Sequence, residues 1–178
     1  DQRSWTNFMT DWLNEAYRLC RPGAPICLFI DWRQLPSMTD ALQRSGWIWR
    51  GIAVWDKATC RPQKGRFRQQ AEFIVWGSKE AMPLQRNVGC LPGVFRYSNP
   101  ASGGRIHVTE KSLPLMRDIV QICEPGGRIF DPFAGAGTTI LAAVREGYEA
   151  VGIEKTAAYY KLGSDRVKFA LAAGENAK

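Results

Sequence analysis

The stretch Asp131-Pro132-Phe133-Ala134-Gly135-Ala136-Gly137-Thr138-Thr139 decides the fold class of this chain. Before it, 126–130 reads as a turn and a buried strand; after it, 140–147 reads as a helix closed by a glycine. A strand, a glycine-rich turn and a helix in this order hold nucleotide-like ligands in α/β folds. Gly135 and Gly137 let the backbone approach a ligand closely, and the helix N-terminus supplies unpaired N–H groups.

The segments on either side alternate between helical and strand patterns. Apolar residues at helical spacing predict a first helix capped by Ser4, and Pro36 opens a second helix that stops at Gly46. Further helices are predicted with Pro114 in the first turn and over 156–172. Strands are predicted at 26–30, 47–55, 71–76 and 149–154. This order predicts an α/β fold with a doubly wound, mostly parallel sheet.

Composition describes a soluble globular chain with a basic surface. The 178 residues are 45% hydrophobic and 23% charged, which is enough to bury one core, and the formal net charge is +7. A basic balance of this size favours a nucleic-acid partner. The five cysteines never form a CxxC pair, so neither a disulfide framework nor a metal site is predicted, and a reducing cytoplasm is favoured. No apolar run is long enough for a bilayer, so no membrane partner is expected.

A basic segment joins the two predicted strands 47–55 and 71–76. It is either a solvated loop or a phosphate-contacting loop, and its five cations are Lys57, Arg61, Lys64, Arg66 and Arg68. The following 79–106 is rich in proline and glycine and predicts a long irregular insertion. Within it, Phe95, Arg96 and Tyr97 either contact bases or anchor the insertion.

Glu154 stands 17 positions after Gly137, at the end of the next predicted strand. An acid in this position binds the hydroxyls of a ribose in doubly wound folds. The turn lacks the third glycine of GxGxxG, carries an extra acid, Asp131, and is not followed by Gly-Lys-Ser/Thr. These features predict an adenosine-type cofactor without a phosphate chain, and S-adenosylmethionine fits through its positive sulfonium.

The nine residues 131–139 resemble the DPFxGxGTT cofactor motif of DNA methyltransferases that methylate adenine N6 or cytosine N4. The order of segments is similar to the beta-type, circularly permuted members, in which the target-base half comes first. Residues 107–112 resemble the HPTEKP segment of that family, with Val108 and Ser112 in place of prolines, and 31–36 resembles phage or prophage members. The resemblance covers nearly the whole chain.

The resemblance implies a Rossmann-like, mostly parallel sheet with an antiparallel edge hairpin. One methyltransferase domain, 1–178, would comprise a target-base half (1–78), a variable insertion for target recognition (79–106) and a cofactor half (107–178). The implied activity is methylation of an exocyclic amine of a flipped base in double-stranded DNA, as in restriction–modification. The protein would be a cytoplasmic monomer or homodimer of a bacterial or phage-infected cell.

The site residues that the resemblance implies fall into two groups. The expected cofactor-binding residues are Asp131, Phe133, Ala134, Gly135, Gly137, Thr138, Thr139, Glu154, Lys111 and Thr109. The expected DNA-binding residues are Lys57, Arg61, Lys64, Arg66, Arg68 and Arg96. The family's catalytic loop, Asp/Asn/Ser-Pro-Pro-Tyr, does not occur in the sequence; we expect it, with two strands, upstream of Asp1. His107 is expected to have a positioning role.

Two alternatives stay open at this point. One is an RNA or small-molecule methyltransferase on the same fold. The other is a nucleic-acid-binding module without catalytic activity.

Overall fold

The computed structural model describes residues 2–58, 60, 62–98 and 111–175. The chain forms two compact units, the first comprising 1–86 with 92–96 and the second comprising 87–91 with 97–178. Each unit contains its own sheet. Within the described ranges, no helix has both the length and the apolar character needed to cross a bilayer.

The first unit is a mixed four-stranded sheet with two helices. The helices are α1 (Gln2–Leu19) and α2 (Leu35–Arg44), and the strands are β1 (Pro25–Ile30), β2 (Ile48–Asp56), β3 (Ala71–Ser78) and β4 (Val94–Arg96). The order in the sheet is β1-β3-β2-β4. β3 is antiparallel to both of its neighbours, whereas β4 is parallel to β2.

The core of this unit lies where α1 and α2 meet the sheet. Leu13 and Leu42 from the helices and Val75 from β3 are each 0% exposed. Trp47, just before β2, is buried in the same cluster, and its indole N–H donates a hydrogen bond of 3.0 Å to the Leu13 carbonyl. The polar atom of the tryptophan is therefore satisfied inside the core.

The carboxyl ends of three strands meet at one edge of this sheet, which we name the loop edge. Ile30 at the end of β1 lies opposite Phe73, and Asp56 at the end of β2 lies opposite both Ala71 and Arg96. The basic segment that joins β2 to β3 leaves the sheet at this edge. In open α/β sheets, ligands bind beside the carboxyl ends of strands.

The second unit is built around two parallel strands. They are β5 (Arg128–Asp131) and β6 (Glu149–Gly152), and the helices are α3 (Leu113–Val120), α4 (Thr138–Arg145) and α5 (Ala157–Glu175). The apolar faces of α3 and α4 form the core, with Leu115, Ala142 and Ala143 all 0% exposed. This β5–turn–α4–β6 order is the unit predicted from residues 126–154, but β5 is not the buried strand that was expected, since Phe130 is 39% exposed.

The structure corrects several details of the prediction. Ser4 lies inside α1 and does not cap it, since the helix already begins at Gln2. Of the described strand pairs, two are parallel and two are antiparallel, so the strands are not mostly parallel. The sheet of the first unit is mixed and the β5–β6 sheet is parallel, because the helix–strand–helix order does not fix the neighbour of β1. The β2–β3 hairpin was expected to form the outer strands of the sheet, but it is central. Strand β4 pairs with β2, although β4 lies in the insertion that was predicted to be irregular.

Candidate cofactor site and nucleic-acid surface

The glycine-rich turn between β5 and α4 is formed by two left-handed glycines. Gly135 has φ of 52° and Gly137, the residue that caps α4, has φ of 74°. The Gly137 N–H closes the turn with a 2.8 Å bond to the Ala134 carbonyl. Apart from its two chain neighbours, no described residue has an atom within 4 Å of a Cβ placed at Gly135, so the backbone there borders open space that a ligand can enter.

Glu154 is fixed against this turn by two backbone amides. One carboxylate oxygen accepts a 2.9 Å bond from the Gly135 N–H, and the other accepts a 2.7 Å bond from the Thr156 N–H. Each carboxylate oxygen can accept more than one hydrogen bond. The orientation of the Glu154 carboxylate is therefore set by the backbone of the turn.

Asp131 is held at the same turn from the end of the neighbouring strand. Its side chain accepts a 3.0 Å bond from the Phe133 N–H. Its carbonyl accepts a 2.9 Å bond from Ile153, whose own carbonyl accepts a 2.9 Å bond from Ala134. These bonds extend the pairing of β5 and β6 past the end of β6. They bring Asp131 and Glu154 to one turn, as the sequence predicts.

Helix α5 also contacts the turn, through residues that were not predicted from the sequence. The Arg166 guanidinium donates a 2.8 Å bond to the Ala136 carbonyl. Three residues earlier on the helix, buried Gly163 lies so close that a Cβ there would be 3.2 Å from the Gly137 nitrogen. A glycine inside a helix costs about 1 kcal/mol relative to alanine, which is a signal for such a close approach.

The other expected cofactor residues differ in exposure. Phe133 is 57% exposed, whereas the Thr138 side chain is buried in the first turn of α4. Ala134 and Thr139 are half-buried, as is Lys111, which directly precedes Ser112, the N-cap residue of α3. Thr109 and His107 lie outside the described residues. Their roles, and that of Lys111, stay predictions.

The chemistry of the turn fits a cationic ligand with hydroxyl groups better than a phosphate. Two carboxylates and an exposed aromatic ring surround the open glycine backbone, and the stretch 131–139 contains no lysine or arginine. Carboxylates attract a positive charge and accept hydrogen bonds from hydroxyls, but they repel phosphate oxygens. The residues present therefore fit S-adenosylmethionine.

The predicted DNA-binding cations fall into two groups. Lys64, Arg66 and Arg68 are exposed, and none of them forms an ion pair with another described residue. Arg96 lies at the end of β4, with an exposed side chain 3.5 Å from Asp56. These four residues extend from the loop edge of the first unit. Arg61 is outside the described residues.

Lys57 differs from the other cations because it is engaged inside the protein. Its ammonium lies 2.7 Å from the Glu72 carboxylate, and the two side chains are 24% and 13% exposed. It also lies 5.2 Å from the centre of the Trp55 ring. Lys57 is thus part of the β2–β3 hairpin, and its expected contact with DNA is not favoured by this geometry.

Comparison with known proteins supports the fold and the expected cofactor, S-adenosylmethionine. Residues 1–88 and 87–165 match a protein-family model described as DNA methylase. The chain is 28% identical over 163 residues to the putative methylase YubD of Escherichia coli, covering 88% of the chain and 69% of that protein. It is 30% identical over 168 residues to the type II methyltransferase M.XycI of Xanthomonas campestris, covering 83% of the chain and 54% of the relative.

Solved structures show the same likeness. A complex of M1.HpyAVI with S-adenosylmethionine superposes with a TM-score of 0.78 at 27% identity, covering 90% of the chain and 83% of that structure. The cytosine-N4-specific PvuII methyltransferase, at 16% identity, shares the fold with a TM-score of 0.79 over 93% of the chain and 71% of its own. The chain belongs to the family of DNA methylases that act on adenine N6 or cytosine N4, in which S-adenosylmethionine is the methyl donor.

Proposed function

We propose that this chain binds S-adenosylmethionine at the β5–α4 turn and binds double-stranded DNA at the loop edge, for methylation of adenine N6 or cytosine N4. The observation that carries the proposal is the pair of carboxylates, Asp131 and Glu154. They come from the ends of adjacent parallel strands, and each accepts a hydrogen bond from an amide of the same open turn. Residues 107–178 would be the cofactor half and 1–78 the target-base half.

Within the cofactor site, each acid has its own role. Glu154 accepts hydrogen bonds from the ribose hydroxyls, and Asp131 lies toward the positively charged end of the cofactor. Phe133 and the backbone of 134–139 enclose the ligand, and Lys111 and Thr109 are further candidates on this side. When bound, S-adenosylmethionine supplies a methyl group attached to a cationic sulfur.

The two acids contribute to binding more than to the chemical step. The positive charge on sulfur disappears as the methyl group leaves, so a nearby carboxylate stabilises the bound cofactor more than the transition state. An interaction that is no stronger in the transition state lowers KM without raising kcat. Asp131 is therefore a residue for cofactor affinity.

The DNA contacts proposed for the loop edge are contacts to phosphates. Lys64, Arg66, Arg68 and Arg96 would position the duplex, while the insertion 79–106 would read the sequence. A target base must leave the stack before it can be methylated, at a cost of a few kcal/mol. The sequence contains no Pro-Pro-Tyr, so the roles proposed for these residues are binding and positioning. A monomer or homodimer in a bacterial cytoplasm suits this role.

Methyl transfer to DNA tests the proposal directly. The full-length protein is incubated with S-adenosylmethionine labelled on the methyl group and with duplex DNA, and the nucleosides are then identified by mass spectrometry. We expect label in N6-methyladenine or N4-methylcytosine. Label in RNA alone would overturn the proposal. DNA binding without any transfer would favour the non-catalytic module.

The roles of the two acids are separable by comparing cofactors with and without the positive charge. S-adenosylhomocysteine has the same ribose but a neutral sulfur. Glu154→Gln should weaken the binding of both ligands by about ten- to a hundredfold, since a hydrogen bond to a charged group contributes about 1.5–3 kcal/mol. Asp131→Asn should weaken S-adenosylmethionine more than S-adenosylhomocysteine, measured by calorimetry.

The matched control for this comparison is Glu149→Gln. Glu149 begins β6, and its exposed carboxylate pairs with Arg128, so its loss should leave both affinities unchanged. Equal losses of both ligands in Asp131→Asn would place Asp131 away from the sulfonium.

A further inference from the structure

Phe67 is the most exposed aromatic residue of the loop edge, with 99% of its surface open to solvent. It lies in the middle of the described loop segment 62–70, between Arg66 and Arg68. A phenylalanine in this position gives up all the stabilisation that burial of its ring would provide. The fold therefore gains nothing from an aromatic side chain here, which suggests that its partner is another molecule.

The charge around Phe67 indicates which molecule this is. The segment 62–70 contains three cations and no acid. None of these cations forms an ion pair among the described residues. An aromatic ring between unpaired cations is the arrangement with which proteins stack on a base while holding the neighbouring phosphates.

The end of this loop is joined to the β2–β3 hairpin by hydrogen bonds. The Lys57 N–H donates a 2.8 Å bond to the Gln70 carbonyl, and the Gln70 side chain donates a 3.0 Å bond to Asp56. The Lys57–Glu72 ion pair closes the same end of the hairpin. The segment with Phe67 therefore projects from the loop edge, the edge from which Arg96 also extends.

We propose that Phe67 is a base-stacking residue, which contacts bases exposed when the duplex opens, while Arg66 and Arg68 bind the flanking phosphates. This inference rests on the proposed function, since it takes DNA as the substrate. Opening a pair exposes base faces that were stacked, and an aromatic ring placed against one of them replaces part of the lost stacking. Phe67 would thus favour the opened state of the duplex that methylation requires.

Fluorescence anisotropy of a labelled duplex, measured at several salt concentrations, tests this role. Phe67→Ala should weaken binding on the order of tenfold at every salt concentration, because base–aromatic stacking does not depend on counterion release. Arg66→Gln should instead make the negative slope of log K against log salt less steep, by about 0.9. Phe67→Trp should restore the wild-type affinity.

Two further comparisons make the test specific. Leu19→Ala is the matched control, since Leu19 is an exposed apolar residue of the first unit at the end of α1, outside both the loop and the insertion 79–106, and its loss should leave binding unchanged. A duplex with one mismatched pair is easier to open, so the wild-type protein should prefer it to a matched duplex. Phe67→Ala should lose this preference.

The possible outcomes separate this inference from the proposed function. If the wild-type protein binds and methylates DNA but Phe67→Ala binds equally well, the stacking role is overturned and the function stands. If the wild-type protein neither binds nor methylates DNA, the function itself fails. Loss of binding to phosphatidylserine vesicles in Phe67→Ala, with DNA binding intact, would identify a membrane-contacting loop and overturn the inference.

Discussion

Gly163 of α5 lies directly against Gly137 of the cofactor turn. A Cβ at Gly163 would be 3.2 Å from the Gly137 nitrogen and 3.3 Å from its Cα, closer than a side chain normally packs against backbone. The contact is mutual, because a Cβ at Gly137 would be 3.1 Å from the Gly163 Cα. The position of the turn is thus set by a helix that begins three residues after Glu154.

Gly163→Ala should weaken cofactor binding without a comparable loss of stability. The added methyl group would push the turn by a few tenths of an ångström, while alanine in place of glycine stabilises a helix interior by up to about 1 kcal/mol. We expect the Kd for S-adenosylmethionine to rise several-fold in calorimetry and the melting temperature to stay near that of the wild type. Ser164→Ala, at the next position, is the control. Unchanged affinity in Gly163→Ala would mean that the turn tolerates the shift.

Arg166 should act as a positioning residue through its bond to the Ala136 carbonyl. Arg166→Met keeps an unbranched apolar stem but removes the donor, so the turn loses one of its hydrogen bonds. We expect a higher KM for S-adenosylmethionine with an unchanged kcat at saturating cofactor, because the guanidinium contacts the turn and not the reacting atoms. Lys168→Met removes the same charge from an exposed position of α5 and should change neither value. A fall in kcat alone would contradict this role.

Prediction from sequence succeeds where the determinants of a structure are local. The turn at 131–139 was predicted correctly because its glycines and its acid act locally, within one strand, turn and helix. Strand β4 was missed because a strand of three residues is too short to show a periodic pattern. Its pairing with β2 depends on residues that are about 40 positions away in the sequence. The bond from Arg166 was missed for the same reason, since it depends on how α5 packs.

The expected role of Lys57 was also misjudged because it depends on residues that are distant in the sequence. Its charge suggested a DNA contact, but Trp55 and Glu72 are directly paired across the hairpin, and that register places the Glu72 carboxylate within reach of Lys57. A sequence reveals the charge of a residue but not the partner that the strand register gives it. The exposed cations Lys64, Arg66 and Arg68, which no strand register constrains, remain consistent with the predicted phosphate contacts.

Lys57→Met should therefore affect stability and Lys64→Met should affect DNA binding. Removing Lys57 leaves the largely buried Glu72 carboxylate without its cation, which should lower the free energy of unfolding in urea by about 1–3 kcal/mol. Lys64→Met should leave that free energy unchanged and reduce the salt dependence of DNA binding. A double-mutant cycle with Glu72→Gln isolates the pair. Equal stability of the two lysine variants would contradict the structural role of Lys57.

The thiol of Cys27 on β1 should be inert under conditions in which Cys90 reacts. The Cys27 residue is half-buried, and burial of its thiol disfavours the thiolate and raises its pKa to about 12. Cys90 is exposed, and alkylation proceeds through the thiolate. Iodoacetamide at pH 8 should modify Cys90 in the native protein and Cys27 only after unfolding, as followed by peptide mass spectrometry.

The raised pKa of Cys27 also makes stability depend on pH in a defined range. Between the ordinary thiol pKa of 9.0 and the folded value of about 12, the unfolded chain loses this proton while the folded protein keeps it. The contribution is therefore complete below pH 9 and is lost as the pH rises toward 12, by at most about 1.4 kcal/mol per pH unit. Urea unfolding of the wild type and of Cys27→Ala at pH 8 and pH 10 measures the difference. The wild type should lose more stability than the variant, and identical losses would show that the thiol is accessible to water in the folded protein.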